Sequence, residues 1–253
     1  KREWFLDYFF VFSQPYQEVY EKFVKGKILN IGSFKNNIYE KKNPNRKSTN
    51  LLFISQYRIE KNYKPYKYEG KKILFSDLYL AEEKIVSFLS SYCKRNKIEL
   101  IIAGSCTQSI QEEKIFFSNI IDKNDDKLSW KFVPNDNKWS SYKLIDDSNI
   151  IVFIDSALGY QSYSRDKKTI SFSIRSQYLQ NPQLKFGWPA KFDDEGPFWT
   201  NTYDKEKLES ILTNINNLTL EEWEKLMLMY RKKIISYDKQ NTKFKEIVSS
   251  LLD

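Results

Sequence analysis

A chain of 253 residues that is 41% hydrophobic and 16% aromatic has enough apolar material for a sizeable core and is globular rather than disordered. It contains no histidine, which excludes a Ser-His-Asp triad, a histidine general base and a histidine metal site within these residues. The net charge of +8 admits nucleic acid, an anionic membrane surface or phosphorylated substrates as partners, but the lysines are dispersed among acids and read first as a solvated surface.

The chain opens Lys1-Arg2-Glu3-Trp4 without a methionine and runs straight into an apolar stretch, so we read it as a piece of a longer protein. Residues 4–13 read as a buried strand, 15–25 as a short helix with Pro15 in its first turn, and 27–33 as a second strand. The polar stretch 33–50 reads as a linker and contains the basic cluster KKNPNRK (41–47); RKK (231–233) is the other dense one. LLFISQ (51–56) then starts an alternating series. A loop covers 57–70, and an amphipathic helix covers 77–95, with Ile85, Val86, Phe88, Leu89 and Tyr92 on one stripe. Strand 99–105, helix 109–121, strand 130–133, short helix 140–148, strand 150–154, a helix after Ser156 and strand 169–173 follow. FGWPAKFDDEGPFW (186–199) reads as a loop. Helix 204–216 aligns Leu208, Ile211, Leu212 and Ile215. The last helix opens with the capping box Thr219-Leu220-Glu221-Glu222 and presents Trp223, Leu226, Met227, Tyr230 and Ile234. Alternating strands and helices predict an α/β fold with a mostly parallel sheet covered by helices on both faces.

Several chemistries have no address. The seven glycines are never closer than six positions, so neither a GxGxxG fingerprint nor a GxxxxGK[ST] phosphate loop occurs. No Asp-x-Asp pair is present. No apolar run approaches the roughly 18 residues of a membrane span. Cys93 and Cys106 form no CxxC and no zinc spacing, and read as buried free thiols in a reducing compartment.

In such sheets ligands bind beyond the carboxyl ends of the strands. The stretch IIVFIDSALGYQ (150–161) places Asp155-Ser156 between a buried strand and a helix. Ser156 suits an N-cap and equally a phosphate-binding hydroxyl. Gly159 allows close approach of a ligand or of packed backbone. Gln161, one turn on, can bond a ribose hydroxyl. The ends Gly32-Ser33, Ser55-Gln56 and Gly104-Ser105 are also small and polar, and read as turns or as parts of one crevice. Arg58 and Arg175 follow two strands and read as solvated arginines or as bidentate phosphate ligands. Trp188, Phe198 and Trp199 either stack on a ring or plug their loop onto the core. Asp193, Asp194 and Glu195 are candidate bases by type alone. Asp155 reads as structural, since a carboxylate beside a phosphate would repel it.

NLLFISQYR (50–58), ELIIAGS (99–105), SSYKLIDDSNIIVFIDSALGYQSYSRDKKTISFS (140–173) and FGWPAKFDDEGPFWT (186–200) resemble the C-terminal half of surface-carbohydrate (O-antigen or capsule) biosynthesis proteins similar to GT-B-type glycosyltransferases. The most specific parts are DSALGYQ and GPFW. The resemblance covers most of residues 50–253. It implies a Rossmann-like donor domain over 46–253 in a two-domain protein, with residues 1–45 as the end of an N-terminal domain and linker, and a last helix packing back toward the N-terminal side. Ser156 and Gly159 carry over as donor-contacting positions. Gln56, Arg58, Gly104, Ser105, Gln161 and Arg175 complete the expected donor site. Ala157 stands where a hydroxyl residue is common and Gln161 where Glu is common.

The function this implies is metal-independent glycosyl transfer in cell-surface polysaccharide synthesis. A nucleotide sugar is then the donor substrate, with no further cofactor, and CMP, UDP and GDP all stay open. A glycan or lipid-linked molecule is the acceptor, and the location is cytoplasmic or peripheral at the inner membrane. The catalytic base is expected in a preceding domain. The alternatives are a sugar-nucleotide epimerase or hydrolase of the same fold, and a degenerate binding module, which Ala157 and Gln161 suit. Nucleic acid ranks last, because no recognition motif is present.

Overall fold

The computed structural model describes residues 3–41, 49–58, 60, 63–105, 108–121 and 128–252. Cys106 and most of the KKNPNRK cluster lie outside the described residues.

The strands with continuous apolar runs form one sheet. They are β3 (Asn50–Ile54), β6 (Glu99–Ala103), β7 (Trp130–Val133), β8 (Ile150–Phe153) and β9 (Lys168–Phe172), paired in parallel in the order β7-β6-β3-β8-β9. Before them come β1 (Trp4–Val11) and β2 (Val24–Asn30), which pair in parallel with each other in a separate ribbon, and the short hairpin β4 (Tyr66–Tyr68) and β5 (Lys71–Ile73). Two further strands, β10 (Glu195–Gly196) and β11 (Trp199–Thr200), extend the main sheet, β11 lying parallel to β9. Taken in chain order from β3, the six parallel strands run 3-2-1-4-5-6, the doubly wound Rossmann order, whose topological switch point falls between β3 and β8.

Burial explains the apolar runs of β3, β6 and β8. All described residues of β3, β8 and β9 are buried, because helices cover both faces. On one face, α3 (Phe75–Arg95), α4 (Ile110–Ile121) and α8 (Lys205–Asn217) pack: Phe53 meets Phe117 at 6.1 Å, Phe172 meets Phe88 at 6.4 Å, and Arg95 pairs with Glu209 at 2.8 Å. On the other lie α5 (Ser140–Asp147) and α6 (Ala157–Ser164), where Phe153 meets Tyr160 at 5.2 Å and Tyr163 at 6.0 Å. Trp223, fully buried on α9 (Leu220–Leu228), stacks on Tyr163. The α9 capping box forms as its sequence predicts: Thr219 N donates to Glu222 Oε2 at 2.7 Å and Glu222 N to Thr219 Oγ1 at 3.2 Å.

Four expectations are corrected. Residues 4–11 are a strand but not a buried one; Trp4 is 51% and Phe5 78% exposed, because the ribbon has only two strands and nothing described covers its first half. The expected linker contains a helix, α2 (Phe34–Ile38), with Asn36 and Asn37 buried. Asn36 Nδ2 donates to Ser164 Oγ at 2.8 Å, and Asn37 Nδ2 donates to Ile31 O and Asn241 Oδ1, so the asparagines bridge elements far apart in sequence rather than face water. The 186–199 loop ends in the β10–β11 hairpin. The helix opened at Thr219 is not the last: α10 (Arg231–Ile234) and α11 (Thr242–Leu252) follow.

This C-terminal segment packs back on the N-terminal one. Ser236 N donates to Phe12 O at 2.8 Å, and Phe244 of α11 packs edge-on against Phe10 and Phe34. A buried ion pair ties the same region to the main sheet's outer layer. Arg165 grips Asp146 through Nε at 2.8 Å and Nη2 at 2.5 Å, and also donates to Asn36 Oδ1, Tyr39 O and Glu40 O. Cys93 is buried in the core, as its apolar helical neighbours predict.

Candidate functional site at the sheet switch point

The carboxyl ends of β3, β6, β8 and β9 share one edge of the sheet, because all their pairings are parallel. Ser55-Gln56, Gly104-Ser105, Asp155-Ser156 and Ser173-Ile174-Arg175 follow them directly. The expected residues are therefore brought to one edge, but their side chains divide into three groups.

At the β3 and β6 ends the polar groups are satisfied internally. Glu113, fully buried on α4, accepts from Ser55 Oγ at 2.5 Å and from Ser105 N at 2.9 and 3.1 Å. Ser105 Oγ donates to Tyr57 O at 2.6 Å, and exposed Arg58 donates through Nη1 to Ser105 Oγ at 3.0 Å. Gly104 is a packing glycine: a Cβ there would stand 2.6 Å from the Phe132 ring. An internal carboxylate thus holds the donors Ser55 and Ser105 at these two ends. Of this group Arg58 is exposed and Ser105 half-buried.

At the β9 end Arg175 is not a solvated arginine. It is buried, ion-paired to Asp155 through Nη1 and to Glu82 of α3 through Nη2, with Nε donating to Leu78 O at 3.0 Å. Burial alone would lower its pKa; the Glu82 and Asp155 carboxylates more than offset that and hold it fully charged. The desolvated Glu82 carboxyl is raised by its burial, against the pull of Arg175. The Asp155 side chain is 12% exposed and turned to Arg175.

The switch point itself is the open part. Gln56 at the end of β3 accepts from Asp155 N at 3.3 Å, linking the two central strands. Ser156 caps α6, its Oγ accepting from Leu158 N at 3.2 Å. Gly159 lies against Phe153, where a Cβ would approach the ring to 2.1 Å, so its missing side chain lets α6 sit close on β8. Gln161 is half-buried; its Oε1 accepts from Tyr142 OH at 2.6 Å and its Nε2 donates to Ser33 Oγ at 3.1 Å, joining α5, α6 and the N-terminal segment. Burial pushes the Tyr142 hydroxyl up to about 12, so it stays a donor at neutral pH.

Ala157, Tyr160 and Gln161 of α6 line a partly open cavity of about 100 Å³, together with Phe12, Tyr16, Gly187, Trp188, Ile234 and Ile235. The aromatic loop therefore splits: Phe198 and Trp199 are core residues, whereas Trp188 is 43% exposed and meets Tyr16 edge-on at 6.3 Å on the cavity wall. The loop's acids point elsewhere. Asp194 pairs with Lys185 at 2.7 Å, and that hydrogen bond, with a second from Asn201, holds its carboxyl below the usual range; Glu195 pairs with Lys207. Sequence reasoning missed Glu82 and Glu113. Both sit on the apolar stripes of their helices, Glu82 with Ile85 and Leu89, Glu113 with Phe117 and Ile121, and an acid on such a stripe signals a buried partner.

The architecture defines an α/β protein of Rossmann strand order with a mainly apolar crevice beside the start of α6. Residues 1–252 match the family described as "putative O-antigen biosynthesis protein", and the chain belongs to that family. No curated protein matches it. Among solved structures it is similar to Staphylococcus aureus TarM in complex with fondaparinux, alpha-GlcNAc-glycerol and UDP (14% identity, TM-score 0.46), covering 88% of this chain and 41% of that one. It is also similar to a variant of the wall teichoic acid polymerase TagF (12% identity, TM-score 0.48), covering 98% of this chain and 60% of that one. The chain thus spans less than two thirds of either protein. No helix among the described residues is long and apolar enough to cross a membrane.

Proposed function

We propose that this protein acts as a metal-independent glycosyltransferase of GT-B type in O-antigen synthesis, with a nucleotide-sugar donor bound at the switch point. The observation that carries this reading is the coincidence of three features there: the Rossmann crossover between β3 and β8, the N-terminal turn of α6, and the aromatic cavity on Ala157 and Gln161. First-turn N–H groups and the helix dipole suit a diphosphate. Exposed Arg58, held on Ser105 Oγ and the Tyr57 carbonyl, adds a cation to the same sheet edge. Tyr16 and Trp188 offer ring faces to a sugar or base. An acceptor hydroxyl attacks the sugar C1 and the nucleotide departs through its phosphate oxygen, the growing charge stabilised by the α6 turn.

In this reading residues 1–45 end an N-terminal, acceptor-side domain and 46–253 form the donor domain; the separate β1–β2 ribbon supports that division. The base comes from the acceptor side, and the acceptor is a glycan or a lipid-linked glycan. The protein works in the cytoplasm, at the inner membrane's cytoplasmic face.

Calorimetry with CMP, UDP, GDP and their sugars on the wild type and on Ala157→Trp tests the reading. Saturable binding of one nucleotide class, lost in a folded Ala157→Trp protein that fills the cavity mouth, is expected. Binding that survives this substitution would place the donor elsewhere.

A further inference from the structure

A buried charge triad lies beside the proposed donor site, and nothing in the transfer step above uses it. Arg175, 5% exposed at the start of α7 (Arg175–Leu179), joins three elements: Asp155 at the β8–α6 junction, Glu82 on α3, and the Leu78 carbonyl one turn earlier on α3. Asp155 immediately precedes the α6 cap Ser156, and its side chain is 12% exposed. It is thus the carboxylate set at the very turn that must accept an anion.

We propose that Arg175 is a positioning residue that neutralises Asp155 and thereby leaves the first turn of α6 free to take the diphosphate of a nucleotide sugar. This rests on the donor site proposed above. An uncompensated carboxylate at a helix N-terminus competes for the same N–H groups and dipole that would bind the ligand. A unit charge within about 6 Å of a phosphate, at the effective dielectric of a protein surface, changes affinity by one to two orders of magnitude. Arg175 spends one arm of its fork on Asp155 and the other on Glu82, with Nε on a main-chain carbonyl, so the guanidinium is fixed in direction. Glu82 is the anchor: it is fully buried, and its Oε2 has no hydrogen-bond partner among the described residues, so it serves the arginine alone. The arrangement explains why an aspartate stands at an anion-binding turn at all. The paired carboxylate ties β8 to α3 and α7.

The test is isothermal calorimetry of the whole chain with UDP and with inorganic pyrophosphate, folding being checked by circular dichroism and thermal unfolding. Arg175→Gln should weaken both ligands at least tenfold, and adding Asp155→Asn should restore them to within threefold of wild type. Asp155→Asn alone, which leaves Arg175 on Glu82, should bind within threefold of wild type or more tightly. The proposal is overturned if Arg175→Gln binds as wild type, if the double variant stays as weak as the single one, or if Asp155→Asn alone loses tenfold. Should Arg175→Gln not fold, the neutral triad Arg175→Met with Asp155→Asn and Glu82→Gln decides, retained binding supporting the proposal and a tenfold loss overturning it. A wild-type chain that binds neither probe would overturn the donor-site reading and this one with it. Wild-type binding that no variant alters would overturn the role of Arg175 alone.

Discussion

Replacing Gly159 by alanine probes the contact that seats α6 on the sheet. A Cβ at this position would lie 2.1, 2.2 and 2.6 Å from Cγ, Cδ2 and Cδ1 of Phe153, where ordinary contacts begin at 3.4 Å, so a displacement of about 1.3 Å (3.4 minus 2.1) is required. The ring has nowhere to go: Phe153 is fully buried and is hemmed by Tyr160 at 5.2 Å and Tyr163 at 6.0 Å. The helix must lift instead. Helix propensity alone favours alanine by about 1 kcal/mol, while overpacking a well-filled core costs about 1–3 kcal/mol or more. The clash here is at the severe end, so the net effect is a destabilisation of about 1–2 kcal/mol. Urea denaturation reads this directly, and the melting temperature should fall by roughly 2–4 °C per kcal/mol for a chain of this size. Combining Gly159→Ala with Phe153→Leu should recover part of the loss, with a coupling on the order of 1 kcal/mol. A Gly159→Ala protein as stable as wild type would refute the reasoning, because propensity would then outweigh the contact.

Three further outcomes are expected. Arg165→Met removes the guanidinium that grips buried Asp146 and releases Asn36, Tyr39 and Glu40, and should cost about 3–5 kcal/mol; limited proteolysis should then cut near residues 38–41 first. Glu113→Ala strips Ser55 and Ser105 of their shared acceptor and should lower the urea midpoint by an amount on the order of 2 kcal/mol, and a neutral effect would mean that water replaces the carboxylate at no cost. Burial pushes the Cys93 thiol and the Tyr142 hydroxyl up to about 12. In the unfolded chain these groups ionise from about pH 8.5 and about pH 10. Their contribution to stability is therefore complete at neutral pH and is lost as pH rises from about 9 toward 12. Stability should fall over that range, and the peptide carrying Cys93 should resist alkylation at pH 8 in the folded protein but not in urea. Rapid native alkylation of Cys93 would contradict its burial.

The sheet was readable from sequence because each central strand is apolar along its whole length: LLFI, LIIA and IIVF admit only an element buried on both faces, and the helices between them carry clear apolar stripes. The same rule misplaced β1, whose run WFLDYFFV is equally apolar but sits in a two-stranded ribbon, since composition reports what a strand can bury and not what lies over it. Helix α2 was hidden because its asparagines find partners 128 and 204 residues away, at Ser164 and Asn241, beyond any local pattern. At the candidate site the junction Asp155-Ser156 and the cap were legible, being local in the chain. The fate of Arg175 was not, because Glu82 reaches it across 93 residues; the cavity was not either, because Phe12, Trp188 and Ile234 come from three separate parts of the chain.

The most direct test of the central claim is a crystal structure of the chain with whichever nucleotide binds in calorimetry. The account predicts phosphate oxygens at the first turn of α6, within hydrogen-bond distance of the Ala157 backbone N–H, with the rest of the ligand against Tyr16, Trp188 and Gln161. A nucleotide seated instead at the β6 end, against Ser105 with Glu113 displaced, or anywhere away from α6, would contradict it.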